Sequence, residues 1–270
     1  MVRFFYRELG RFAVFLYFEA GKYYSSTQNV ELPCRTCYND AHQETGGKTA
    51  KEETMLKEAI SSVLVDRLPH DLAVALGSLT ESWSAVSVPW MLGGSCALLV
   101  QEVELDRLPR DIDIYADIHA AKLLHAHSPG VSIDQQQVDR SGSYVSLLSH
   151  YELKGFPVEL VGGFEVLCDG ALYRLEVERL LWSAGIQLDL ENTSLRLMPL
   201  SHELLFNLLR NRPDRYQAIA NVMKRDPQRH IGILKQLLVS NIWNKEQLGK
   251  LGELLPWPEL HSFIRMSNEI

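Results

Sequence analysis

Cysteine is scarce in this chain of 270 residues: Cys34, Cys37, Cys96 and Cys168 are the only four. They are too few and too scattered for a disulfide scaffold. Long apolar runs are also missing, and no stretch reaches the length needed to span a bilayer, so no membrane partner is expected. The opening segment Phe4–Phe18 is aromatic and apolar, but Arg7, Glu8 and Arg11 interrupt it and Glu19 closes it. It lacks the clean apolar run and small-residue cleavage site of a signal peptide, and the expected compartment is the cytoplasm. A basic excess is lacking too. Lys and Arg number 27 against 34 Asp and Glu, a formal net charge of -7. This excludes a wholly basic polynucleotide-binding surface and leaves such a partner only a local patch. Internal repeats and low-complexity tracts are absent, which excludes solenoid architectures. What remains, 46% hydrophobic and 23% charged, is the make-up of a globular protein.

Three regions follow from patterning. Residues 1–53 read as an extension, partly helical or disordered: the aromatic segment gives way to a polar stretch, Tyr24–Lys51, with Gly46-Gly47 near its end. Residues 54–200 read as the core. Leu56, Ala59, Ile60, Val63 and Leu64 recur at helical spacing until Pro69, and a second helix is predicted over Asp71–Trp83. Val86, Val88 and Trp90 then alternate as in a strand, which runs into Gly93-Gly94-Ser95 and a helix over Cys96–Glu104. Arg110–Tyr115 reads as a short strand of period two. Asp117 is placed to cap a helix over Ile118–His127. Tyr144–Leu153 and Phe156–Val161 read as a hairpin turned by Lys154-Gly155, with Gly162-Gly163 as a bend after it and weaker strands at Ala171–Glu176 and Ser194–Met198. Residues 201–270 read as helices broken at Pro213, Pro227 and Pro256. The fold class is α/β (α+β): a mixed sheet flanked by helices, with a C-terminal helical region.

Asp111 and Asp113 lie two apart on a predicted strand, so both project from one face while Ile112 and Ile114 anchor the other. Adjacent carboxylates repel, and a fold tolerates them when something offsets the charge. Mg²⁺ suits the task, because it binds hard oxygens through one or two carboxylates plus substrate phosphates. An isolated Asp-x-Asp can equally be a strand end whose acids face solvent. Two neighbours favour a site. Gly93-Gly94-Ser95 joins a strand to a helix, where backbone amides and the Ser95 hydroxyl can hold a phosphate. Glu159, in Pro157-Val158-Glu159-Leu160-Val161, alternates with Val158 and Leu160 and can face the aspartates; an exposed strand carboxylate is the alternative.

In Leu92-Gly93-Gly94-Ser95, Asp111-Ile112-Asp113-Ile114 and Val158-Glu159-Leu160, in that order, the sequence resembles the nucleotidyltransferase superfamily, the DNA polymerase beta-like fold. The resemblance spans roughly Val86 to Val161, and Leu197–Met223 looks like the helical part of small bacterial members. It implies transfer of a nucleoside monophosphate from a nucleoside triphosphate such as ATP to an acceptor hydroxyl. Two Mg²⁺ ions would be held by Asp111, Asp113 and Glu159, the same three serving as catalytic residues. Gly93, Gly94, Ser95, Arg110 and Arg212 would bind the nucleotide. The acceptor, whether small molecule, RNA or protein, is not specified. The sequence departs from the pattern at Asn207, where related small members carry a lysine near the phosphates; Arg210, Arg212 and Arg215 stand close by. The lone Arg110 before Asp111 also lacks the Arg-Arg-Asp signature of tRNA-tail enzymes. A nucleotide-binding or interaction protein with reduced or absent catalysis, including a toxin–antitoxin type of role, is the alternative.

Other features carry less. Cys34-x-x-Cys37 with His42 has no second ligand pair at zinc spacing. His125 and His127, two apart on a helix, point in different directions.

Overall fold

Changes of hydrophobic period decide where the elements begin and end in the computed structural model, which describes residues 66–190 and 193–268. The aromatic segment, the polar stretch, Cys34-x-x-Cys37 and the helix read from Leu56 lie outside the described residues.

Helix α1 (His70–Trp83) buries Leu72, Ala75, Leu76 and Leu79, the i, i+3, i+4, i+7 stripe that its sequence carries. The strand after it is shorter than the alternation from Val86 suggests. Val86 N–H bonds back to Trp83 and Val88 N–H to Val86, so this stretch turns, and only β1 (Trp90–Leu92) pairs. A one-residue link then leads to α2 (Gly94–Val100), and a connection of eleven residues to β2 (Ile112–Ala116). Helix α3 (Ile118–Ala126) follows. Asp117 stands at its N-cap but donates no cap. Its carboxylate instead accepts the N–H groups of Val177 and Glu178, at 3.0 Å each, holding the start of a π-helical turn over Val177–Leu181.

Strands β3 (Val131–Ser132) and β4 (Gln137–Ser141) both pair with β5 (Tyr144–Leu153). The hairpin partner β6 (Phe156–Cys168) runs straight through Gly162-Gly163, where the sequence suggested a bend. The reason is packing: a Cβ on Gly163, which has φ +58°, would stand 2.3 Å from Ile118, so glycine lets α3 close on the strand. Then come β7 (Ala171–Arg174), β8 (Ile186–Asp189) and β9 (Ser194–Leu197). Helices α4 (Leu200–Leu209), α5 (Pro213–Met223), α6 (Pro227–Ser240), α7 (Lys245–Leu254) and α8 (Pro258–Asn268) complete the described chain. Pro213, Pro227 and Pro258 open helices, at positions where a missing N–H costs no bond.

The strands form one sheet in the order β3-β5-β6-β2-β1-β9-β8, with β4 also on β5 and β7 also on β6. It is mixed: β2 runs parallel to β6 and β1 to β9, and the remaining pairs are antiparallel. One face carries Leu92, Ile112, Ile114, Val158 and Leu160 against α1, α2 and α3. The other carries Met91, Tyr115, Val161 and Phe164 against α4 and the helices after it. Alternation along β2 and β6 therefore turns Asp113 and Glu159 toward the C-terminal helices. Among the described residues, no helix is long and apolar enough to cross a membrane.

Candidate active site

Strand register brings the acids together. Asp113 on β2 is the direct partner of Glu159 on β6, and side-by-side residues of a parallel pair share a face. Asp111 stands one residue before β2, and its carbonyl accepts the Cys96 thiol at 3.2 Å. All three carboxylates line a cavity of about 440 Å³ between the sheet and the α4–α5 corner. Burial pushes the Asp113 carboxyl up to about 7, and Asp111 and Glu159 add to the rise. Arg210 and Arg215 oppose it without cancelling it. A desolvated carboxylate beside two others is a site short of positive charge.

The glycine turn is built around Asp113. Gly94 has φ +60°, and a Cβ there would lie 1.7 Å from Asp113 Oδ2. A side chain would thus collide with the carboxylate, and the left-handed backbone would be strained as well. Gly93 packs beneath, where a Cβ would meet the Tyr115 ring at 2.5 Å, and its N–H bonds to the Asp113 carbonyl at 2.9 Å. The Gly94 amide donates to Glu203 Oε1 at 2.9 Å, so the turn is tied to α4 across 109 residues of sequence. Ser95 receives a hydrogen bond from the Arg215 guanidinium at 3.3 Å.

Of the residues singled out from sequence, Asp111, Asp113, Glu159, Gly94, Ser95 and Arg212 line the cavity, whereas Gly93 and Arg110 stand outside its lining. Arg212 is held by Asp214 through two bonds, at 3.0 and 2.7 Å. Asn207 is buried and donates to the Glu203 carbonyl at 2.8 Å.

Sequence reasoning gave Glu203 no role, yet its carboxylate is buried at the head of the site. Burial pushes it up to about 8; the Gly94 hydrogen bond and the two arginines pull it down, and Asp113 pushes it up. A signal was present. Glu203 and Asn207, with Arg210 just past the helix end, fall at i, i+4 and i+7, a polar stripe beside the Leu and Phe residues that fill the second half of the helix. His202 beside it is buried, which holds its imidazole down to about 3, and Nδ1 pairs with Tyr173 OH at 2.7 Å.

The donor set fits Mg²⁺ in part. Hard carboxylate oxygens face a cavity and lack a full counter-charge. Among the described residues no three His, Cys, Asp or Glu side chains converge closely enough to enclose an ion by themselves. Oxygens of a substrate would have to complete the shell, the manner in which Mg²⁺ is commonly held.

No family model matches the chain, and no curated protein matches it. Solved structures do. A candidate nucleotidyltransferase from Thermotoga maritima is 16% identical, covering 58% of this chain and 96% of its own, with a TM-score of 0.47. ANT(2'')-Ia, solved in complex with adenylyl-2''-tobramycin, is 10% identical, covering 60% and 95%, with a TM-score of 0.37. A candidate nucleotidyltransferase from H. pylori is 14% identical, covering 72% and 94%, with a TM-score of 0.27. The chain's own topology carries the assignment. With a glycine turn leading from β1 into α2, an Asp-x-Asp on the antiparallel neighbour β2 and a third acid in register on the parallel strand β6, the chain has a nucleotidyltransferase-like fold.

Proposed function

We propose that the chain is a metal-dependent nucleotidyltransferase that moves a nucleoside monophosphate from a nucleoside triphosphate to an acceptor hydroxyl. The observation that carries this reading is the fit between Gly94 and Asp113: the turn is glycine where any side chain would displace that carboxylate. In this reading Asp111, Asp113 and Glu159 hold Mg²⁺ together with the triphosphate. The metal supplies charge stabilisation on the attacking and leaving oxygens. Glu159, whose side chain is half-exposed, accepts the proton of the acceptor hydroxyl. Ser95, in the turn beside Asp113, and Arg210 and Arg215, from the opposite wall, bind phosphate oxygens, and Arg215 takes the part that lysine plays in related small proteins.

One observation favours a second reading, a nucleotide-binding protein without transfer. The Gly94 amide, which could hold a phosphate, is already bonded to a carboxylate. A transfer assay with radiolabelled triphosphates and a panel of small hydroxylated molecules, RNAs and proteins tests the first reading. Label transfer in the wild type that Asp111→Asn and Asp113→Asn abolish supports it. Metal-dependent nucleotide binding with no transfer to any acceptor moves the reading to the second. Full transfer by either variant overturns the site.

A further inference from the structure

A second cavity lies away from the acids. Strands β1 and β9 run parallel but pair only at Leu92 and Leu197, and Pro89, just before β1, has no N–H to extend the ladder. Where the two strands have parted, a cavity of about 770 Å³ opens between the end of α1, the approach to β1 and the β8–β9 hairpin. That size is within the range of sites that take small ligands. Trp83, Trp90 and Leu190, which line it, belong to the core on the α1–α3 face of the sheet, not to the face of the acids.

Three of the five tryptophans of the chain, Trp83, Trp90 and Trp182, line this cavity. Trp83 and Trp90 meet edge to face, with ring centroids 5.3 Å apart. Trp182 is held by Arg196, whose guanidinium lies 4.5 Å from the ring centroid and donates to the Trp182 carbonyl at 2.9 Å. The Trp83 side chain is buried, yet its Nε1 has no hydrogen-bond partner among the described residues. Native interiors rarely leave such a donor unpaired, because its lost hydration is not repaid. On the exposed rim, one carboxylate oxygen of Asp189 accepts the Gln187 amide at 2.7 Å, and the other has no partner among the described residues.

These groups restrict the ligand. The Trp83 N–H calls for an oxygen that accepts, and Asp189 calls for a group that donates. No Lys, Arg or His stands among the described residues that line the cavity, and α1 ends there with no basic residue in its last turn. The partly negative helix end and the Asp189 carboxylate therefore repel an anion, which excludes nucleotides and other phosphorylated molecules. The indole rings offer electron-rich apolar surface to weakly positive C–H groups. A neutral sugar ring meets every demand: its hydroxyls accept and donate, its C–H face packs on an aromatic ring, and it carries no charge. We propose that this cavity is a binding site for a neutral saccharide, separate from the acid-lined cavity and independent of the proposed transfer.

Isothermal titration calorimetry of the full chain against glucose, galactose, N-acetylglucosamine, maltose, cellobiose and lactose tests this, with glucose 6-phosphate as the charged comparator. The tightest neutral sugar is then titrated into Trp83→Phe, which keeps a ring and removes Nε1, and into Trp182→Ala and Asp189→Asn, which alter a half-buried and an exposed side chain. Circular dichroism confirms that each variant is folded. Loss of one hydrogen bond or one ring contact in such a site is worth about tenfold in affinity, so Trp83→Phe and Trp182→Ala should each weaken binding about tenfold and Asp189→Asn several-fold. A crystal soaked with the same sugar should show a ligand oxygen within hydrogen-bond distance of Trp83 Nε1. The double variant Asp111→Asn, Asp113→Asn should bind it with wild-type affinity. No binding of any neutral sugar by the folded wild type overturns the proposal, as does glucose 6-phosphate binding as tightly as glucose. Unchanged affinity in Trp83→Phe or in Trp182→Ala also overturns it. A loss in the double aspartate variant would place the sugar in the acid-lined cavity, which overturns the second site and leaves the proposed function standing.

Discussion

At the scale of the residue, Asp113 concentrates the conflict in the site. Its carboxyl sits at about 7 in the folded chain against an ordinary value of 3.8, with burial the main cause and Asp111 and Glu159 next. A raised folded value means that the protonated form is favoured, so the contribution to stability is full below about pH 4 and is lost as pH rises through about 7. Asp113→Asn removes that loss. In metal-free buffer the variant should outmelt the wild type at pH 8 by on the order of 2 kcal/mol and match it at pH 4. Thermal unfolding at the two pH values checks this, and the same variant should abolish transfer. Metal binding carries a linked effect. An ion must take Asp113 ionised, so Mg²⁺ binding should release a proton and be about tenfold weaker at pH 6 than at pH 8. Calorimetry in buffers of different ionisation enthalpy measures both quantities. The sequence displayed this residue openly, because an Asp-x-Asp flanked by Ile112 and Ile114 states its own face. It displayed Glu203 only as part of a polar stripe with Asn207, because what that carboxylate does depends on a turn 109 residues away.

At the scale of the element, two short segments carry unequal loads. The turn between β1 and α2 has no freedom to accept a side chain, so Gly94→Ala should destabilise the fold by at least about 2 kcal/mol and remove activity. The π-helical turn over Val177–Leu181 depends on Asp117, which satisfies two backbone donors. Asp117→Ala should cost about 1–3 kcal/mol in urea unfolding, because those donors lose their partner, yet leave transfer rates unchanged. Long elements with strong period were legible in sequence: α1, the β5–β6 hairpin and the C-terminal helices follow their hydrophobic pattern. Elements set by distant contacts were not. β3 and β4 are short and mostly exposed, and exist because β5 offers them an edge. β6 continues through two glycines because α3 presses on them. Asp117 looked like a helix cap because the nearest helix follows it, but its carboxylate serves a segment 60 residues later.

At the scale of the whole molecule, the site is a meeting of two charge surfaces. The sheet presents Asp111, Asp113 and Glu159; the corner of α4 and α5 presents Arg210 and Arg215 across the same cavity. Net charge of -7 belongs to the chain, while this cleft pairs both signs within a few side chains. A triphosphate alone would meet the arginines but be repelled by the acids, and a metal ion alone would satisfy the acids but leave its shell incomplete. In the proposed reading only the two together would bridge sheet and helices. A ligand that binds the folded chain and not the unfolded one stabilises it by about 2.7 kcal/mol at a hundred times its Kd, or roughly 5–10 °C for a chain of this size. Mg²⁺ with the preferred triphosphate should therefore raise the melting temperature by that amount, and either component alone by a small fraction of it. The double variant Asp111→Asn, Asp113→Asn should lose the need for metal along with most of the shift. Arg215→Ala should keep the need for metal and lose part of the shift, since it removes a phosphate contact and no carboxylate. Equal shifts with and without Mg²⁺ in the wild type would mean that nucleotide reaches the arginines without engaging the acids, which is how a binding protein without transfer would behave.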